Sequence, residues 1–252
     1  MDTGTASDCT AEPSNRDGGP PLSANDFHRS VAARHRRIDA ALWDDIYVVG
    51  DVHGCIDELR RLMEALDPNA EDLVVFVGDL VRKGPDSRAV VDYVRERDNL
   101  VSVRGNNEDK LIHDRKRLES LGPAGDAYLE SLPVALSWDD QLVIHGGVDP
   151  ARPLVEQDVE SLLNCRSPAG DGYDGPFWFE TYRRPPRVFF GHTVLDEPVR
   201  TEWAIGLDTG CVYGGSLTAY DCYGDRFVSV PAAETYEERA DRKVLTPGDV
   251  DV

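Results

Sequence analysis

Lysine is almost missing from this chain: Lys83, Lys110, Lys116 and Lys243 are the only four in 252 residues. Long apolar runs are missing too. None approaches the roughly 18 residues needed to cross a bilayer, and the N-terminus carries no apolar stretch of signal-peptide length. The expectation is a cytoplasmic protein without membrane contact. The five cysteines (Cys9, Cys55, Cys165, Cys211, Cys222) are scattered and form no C-x-x-C pair, which argues against a disulfide framework or a thiolate zinc site. Positive charge is scarce, with 27 Lys plus Arg against 47 Asp plus Glu and a net charge of −20. Such a surface repels phosphate backbones, so a nucleic-acid duplex is not an expected partner. In molar salt, where the Debye length is about 3 Å, the self-repulsion is largely screened. The composition resembles that of proteins from salt-in halophiles.

What is present is a core-forming middle between two polar ends. Residues 1–25 are small, polar and rich in Gly and Pro, and residues 232–252 are charged; neither has the periodic apolar content that offsets the entropy of ordering. Both are expected to be mobile tails around one domain over 26–231. Phe27, Val31, Ile38 and Leu42 recur at helical spacing and predict a leading helix over 26–43. Short apolar runs follow, each ending in a Gly-containing polar cluster: IYVVGDVHG, LVVFVGDLVRKGP, LVSVRGNNE, LVIHGG and RVFFGHT. The first three alternate with helical patterns near 56–66, 86–98 and 108–118, which predicts strand–helix–strand units and an α/β fold. After residue 200, AIGLDTG, LTAYDC and FVSVP read as antiparallel strands.

The polar cluster always follows the apolar run. Ligands of open α/β sheets bind beyond the carboxyl ends of strands, so all five clusters should meet at one rim. They deliver Asp51, His53, Asp79, Asn106, His145 and His192. These oxygen and nitrogen donors suit divalent Mn, Fe or Zn. Six donors exceed what one open catalytic ion needs but serve two ions if a carboxylate bridges them. Asp51-Val52-His53 would put two donors on the same side of an extended segment. Two divalent ions, less two carboxylates and a hydroxide, leave about +1, a charge that favours a phosphate while a water of lowered pKa attacks in line.

GDVHG, GDLVRKGP, GNNE, HGG and GHT, in this order, closely resemble the signatures of the phosphoprotein phosphatase family of metallophosphoesterases. HGGVDPARPLVEQDVESLLNCR and GLDTGCVYGGSLTAYD look like the prokaryotic branch that holds symmetrical diadenosine tetraphosphatases and serine/threonine phosphatases. The resemblance covers about residues 46–231. It implies a four-layer α/β/β/α sandwich, with Asp51 and His53 on one ion, Asp79 bridging, and Asn106, His145 and His192 on the other. It also implies that Lys83 stands where the family has a phosphate-contacting Arg, and that Arg166 matches a second such Arg.

The sequence departs from the family at two positions. The family's general-acid His is Asn107, and the Asp that orients that His is Arg82. An amide has no proton to give at neutral pH, whereas a positioned acid contributes about 10²–10⁴ in rate. His113, six residues on, is the one other candidate donor nearby. The function these features imply is a phosphoesterase with two divalent ions, Mn foremost, acting on phosphomonoesters, phosphoproteins or dinucleoside polyphosphates. The alternative is a non-catalytic or weakly catalytic phosphate- or nucleotide-binding regulatory protein.

Overall fold

In the computed structural model, which describes residues 21–168 and 172–247, the apolar runs become the middle strands of two sheets. Expectations for residues 1–20 and 248–252 lie outside the described residues. β2 (Ile46–Val49), β3 (Leu73–Phe76) and β4 (Leu100–Ser102) pair in parallel. Helices α2 (Ile56–Leu66) and α3 (Ser87–Arg95) return the chain between them. The hairpin of β10 (Ser216–Asp221) and β11 (Arg226–Pro231) completes this sheet in the order β11-β10-β2-β3-β4.

The second sheet has the order β1-β5-β6-β7-β9-β8. Its strands are β1 (His35–Arg37), β5 (Ala135–Trp138), β6 (Gln141–Val143), β7 (Arg187–Phe190), β8 (Val199–Arg200) and β9 (Ala204–Gly206). β9 runs parallel to β7 and antiparallel to the two-residue β8, whereas β10 runs antiparallel to both β11 and β2, so the expectation of antiparallel strands after residue 200 is met by the hairpin and only in part by β9.

Three apolar clusters separate four layers. Ile46, Val48, Val75 and Val77 of the first sheet pack against Leu136, Val143, Phe189 and Ile205 of the second. Leu59 and Leu62 of α2, with Val90 and Val91 of α3, cover the outer face of the first sheet. Leu162 of α6 (Val159–Asn164) and Trp178 and Phe179 of α7 (Trp178–Thr181) cover the second. β2 and β3 bury every residue because both of their faces are covered, which is why their sequences are continuous apolar runs rather than alternating ones. The architecture is the α/β/β/α sandwich.

The leading helix over 26–43 does not form. One turn, α1 (Arg29–Ala32), precedes β1, whose register pairs His35 with Ala135 and Arg37 with Ser137. His35 Nε2 also meets Ser137 Oγ at 2.8 Å. Phe27 and Val31 are buried, but Leu42 is 73% exposed, so the helical spacing of these four residues does not correspond to one buried face. Pairing with β5 supplies hydrogen bonds that a helix with a single buried turn could not match. The segment after 231, expected to be mobile, lies against the domain through residue 247. Ala233 N–H (2.9 Å) and Tyr236 Oη (3.2 Å) donate to Glu58 Oε1, and Leu245 N–H donates to Val194 O at 2.9 Å. Its attachment rests on backbone donors and one buried carboxylate, which a count of apolar residues does not register.

Candidate active site

Asp51 stands two residues beyond β2, Asp79 three beyond β3, His145 two beyond β6 and His192 two beyond β7. Asn106 opens α4 (Asn106–Ile112), a helix shorter than the predicted 108–118 and set directly behind β4. The six side chains named as donors therefore meet where the carboxyl ends of both sheets share a rim. Asp79 is central: its Oδ2 lies 3.5 Å from His53 Nε2 and its Oδ1 lies 3.4 Å from His145 Nε2. Asp51 Oδ2 is 3.8 Å from His53 Nε2 on one side. On the other, Asn106 Nδ2 is 3.1 Å from His192 Nδ1, and the His145 and His192 rings are 5.0 Å apart.

The backbone reaches this convergence through an unusual conformation. His53, Asp79 and His192 have φ of 49°, 52° and 65°, the left-handed region that costs a non-Gly residue about 1–2 kcal/mol. His53 therefore sits in a turn, and the alternation argument for Asp51 and His53 does not apply; a tight bend, not an extended segment, brings the two together. The adjoining chain has no room to spare. A Cβ on Gly191 would run into the Asp51 carboxylate, and one on Gly105 into Asp79.

Outer hydrogen bonds fix the ring orientations. His53 Nδ1 meets Val81 O at 3.1 Å and His145 Nδ1 meets Val77 O at 2.9 Å, so each Nε2 faces inward. Asn164 Oδ1 accepts from Asn106 Nδ2 at 3.2 Å, and the Asn106 oxygen accepts from Asn107 Nδ2 at 2.9 Å. Burial pulls His53 down to about 3, with Lys83 adding to the effect. Burial likewise lowers His145, and burial followed by the Arg166 charge holds His192 well below its usual value. All three imidazoles are neutral near pH 7 and have lone pairs to give. Burial, then Asp208 and Asp79, push Asp51 well above the carboxylate range. Burial also opposes ionisation of Asp79, but His145, His53, Lys83 and the Asn107 N–H outweigh it and hold Asp79 low.

These features test whether divalent cations fit. The Nε2 atoms of His145 and His192 are buried without a hydrogen-bond partner among the described residues. One donor atom each from Asp51, Asp79 and His145 falls within 4.8 Å of the others. Buried carboxylates crowded together and imidazole nitrogens without donors are what cations would satisfy, so the donor set fits. Metal loading should therefore raise thermal stability. At a concentration 100 times its dissociation constant, Mn²⁺ should add about 2.7 kcal/mol, or roughly 5–10 °C in Tm for a chain of this size. Melting the metal-free chain with and without Mn²⁺ checks this, and equal melting temperatures would refute it.

Asn107 and Arg82 form a pair. Arg82 Nη1 donates to Asn107 Oδ1, which turns the Asn107 amide so that its NH₂ donates to Asp79 Oδ2 and, at 2.9 Å, to Asn106 Oδ1. Lys83 Nζ lies 2.7 Å from His53 Nε2, and Arg166 Nη2 donates to His192 O at 3.1 Å. His113 is not in the cluster: it caps the C-terminal end of α4, and its half-exposed ring meets Asp109 O at 2.9 Å.

Three participants escaped the sequence reading. Buried Asp208 acts on the charges of Asp51 and Lys83. It follows an apolar run and precedes a glycine, the same pattern that marked the other donors. Glu108 is fully buried and takes N–H bonds from Gly105 (2.7 Å), Asp79 (2.9 Å) and Val81 (3.2 Å), tying two ligand loops together. Burial and the Asp79 charge push it up to about 7 despite those donors. Asn164 carries no mark in the sequence.

Two face-to-face mixed sheets with this donor set at their shared rim define a metal-dependent phosphoesterase scaffold. The calcineurin-like phosphoesterase profile matches residues 45–210, and the chain belongs to that family. It is 26% identical over 249 residues to a symmetrical bis(5'-nucleosyl)-tetraphosphatase of Vibrio cholerae, spanning 68% of this chain and 93% of the relative. It is 29% identical over 231 residues to an asymmetrical bis(5'-nucleosyl)-tetraphosphatase PrpE of Halalkalibacterium halodurans (74% and 94%), and 30% identical over 220 residues to serine/threonine-protein phosphatase 1 of Salmonella typhimurium (73% and 94%). A crystal structure provisionally described as a diadenosine tetraphosphatase superposes with a TM-score of 0.68 at 31% identity, covering 79% of this chain and 98% of that one.

Proposed function

We propose that this chain hydrolyses phosphoric anhydrides, dinucleoside polyphosphates foremost, with two divalent cations, Mn²⁺ first among them. Asp51 and His53 would hold one cation, Asn106, His145 and His192 the other, and Asp79 both. When bound, the cations polarise the phosphoryl oxygens and acidify a water. The chain's own residues do the rest. Lys83 and Arg166 present positive charge to the phosphate, and the neutral imidazoles leave their lone pairs to the cations. His145 and His53 are held in one orientation by the Val77 and Val81 carbonyls. Symmetrical and asymmetrical tetraphosphatases among the relatives support the substrate class.

The observation that carries the choice of anhydrides is Asn107. Its amide oxygen is engaged by Arg82 and its NH₂ by Asp79 and Asn106, so it offers no acidic proton to a departing alkoxide. A nucleoside diphosphate or an aryl oxide leaves without one, whereas a serine alkoxide does not. The test is Mn²⁺-dependent product release, in molar KCl, from diadenosine tetraphosphate, 4-nitrophenyl phosphate and a phosphoserine peptide. Turnover of the first two at least 10²-fold above the peptide is expected from the missing acid. Peptide turnover as fast as dinucleotide turnover would refute the reading. The same Asn107–Arg82 pair favours a second reading, a phosphate- or nucleotide-binding regulatory protein. Two cations bound per chain with no turnover of any of the three substrates would select it.

A further inference from the structure

The chain's scarce lysines are not spread evenly. Lys83 lies against a candidate ligand, Lys110 feels the charges of Asp79, Arg82 and Arg166, and Lys243 lies 6.0 Å from the Tyr173 ring. Three of four lysines thus gather round one site in a chain of net charge −20. Among the described residues, Lys83, Arg166, Arg239 and Lys243 have no carboxylate oxygen within 4.0 Å, although elsewhere arginines such as Arg61, Arg95 and Arg226 pair with acids.

Two tyrosines hold these cations together. Lys83 Nζ stands 5.2 Å from the centre of the Tyr213 ring, and the Arg239 guanidinium lies 4.6 Å from the centre of the same ring. Arg239 Nη2 donates to Tyr173 Oη at 2.8 Å, and Arg166 lies 5.0 Å from the centre of the Tyr173 ring. The contacts therefore make a closed circuit: His53, Lys83, Tyr213, Arg239, Tyr173, Arg166, His192. It leaves the donor cluster at the His53 imidazole and returns at the His192 carbonyl. Arg239 and Lys243 come from the segment after 231, beyond the stretch that matches the family. That segment is held by Glu58, so Arg239 is positioned in advance rather than recruited: its Nε donates to Lys243 O at 3.0 Å.

Cations stacked on tyrosine rings without acid partners are desolvated at a cost that a bound anion would offset. One phosphate at the metal cluster already has Lys83 and Arg166. We propose that Arg239 and Lys243, brought in by the C-terminal segment, form a second anion subsite that takes the next phosphate of a polyphosphate chain. This rests on the reading of the donor cluster as a phosphoryl site, but it concerns residues that reading does not use. The subsite recognises a phosphate-linked phosphate, the group that a nucleoside diphosphate has and inorganic phosphate or a nucleoside monophosphate lacks.

The experiment compares ADP, AMP and inorganic phosphate as competitive inhibitors of Mn²⁺-dependent 4-nitrophenyl phosphate hydrolysis. ADP should bind at least about tenfold more tightly than either of the others, the worth of a charge-assisted contact. In Arg239→Ala the ratio of phosphate to ADP inhibition constants should fall about tenfold, and Arg239→Lys should recover part of it. Equal weakening of all three inhibitors in Arg239→Ala would mean a merely structural role and overturn the proposal. So would an unchanged ratio, or AMP binding as tightly as ADP, which would assign the preference to the nucleoside. If the wild-type chain hydrolyses nothing, the proposed function fails while the subsite is still decided: the same three ligands are titrated by calorimetry into the Mn²⁺-loaded chain, and the ratios are read as before.

Discussion

Replacing Asp79 by Asn should lower Mn²⁺-dependent hydrolysis of 4-nitrophenyl phosphate about 10³-fold and leave the chain folded but with fewer than two cations bound. The magnitude is that of removing one preorganised electrostatic contact from a transition state, and here the contact serves both halves of the site. Asp79 lies between His53 at 3.5 Å and His145 at 3.4 Å, so its charge serves both histidines. Asp51 is farther from His53, at 3.8 Å. An amide at position 79 could still accept the Asn107 N–H, which keeps the loop in place and separates loss of charge from loss of fold. Steady-state rates and elemental analysis of the purified variant measure both quantities. Two tightly bound cations with near-normal rates would mean that Asp79 does not bridge.

The second large effect runs in the opposite direction. Asn107→His combined with Arg82→Asp should raise hydrolysis of alkyl phosphates about tenfold or more, short of the full 10²–10⁴ a positioned acid supplies. Aryl phosphate hydrolysis should change far less, because its leaving group needs no proton. Both substitutions suit their positions. Arg82 has φ of 71°, a conformation Asp tolerates better than most residues, and its side chain already reaches residue 107. The new acid should also add a falling limb to the pH–rate profile for alkyl substrates above its own pKa. Equal gains for alkyl and aryl substrates, or none for either, would mean that residue 107 does not face the leaving group.

Most of the site was legible in the sequence because each donor follows an apolar run. A strand buried on both faces has to be such a run, and a parallel sheet aligns the ends of those runs at one rim. The residues it missed lack that mark. Asn164 orients Asn106 from a short helix behind the second sheet, and nothing local announces a contact between residues 58 positions apart. Arg239 lies in a charged stretch of the sort that usually stays in solvent. The leading segment failed for a different reason: four apolar residues at helical intervals fit a helix, but hydrogen bonding to a strand a hundred residues away decided the outcome. The left-handed backbone at His53, Asp79 and His192 was also invisible, since glycine is the residue that usually signals it.

β1, β10 and β11 all lie outside residues 45–210, the stretch that the family profile matches, yet each completes a sheet. Cutting the chain to that stretch would remove the neighbour of β5 on one sheet and of β2 on the other. Two rows of backbone N–H and C=O groups would be laid bare, each an open template for strands of other molecules. The recognisable unit and the foldable unit are different lengths of chain. A trimmed fragment should therefore self-associate through those bared edges before its chemistry could be assayed.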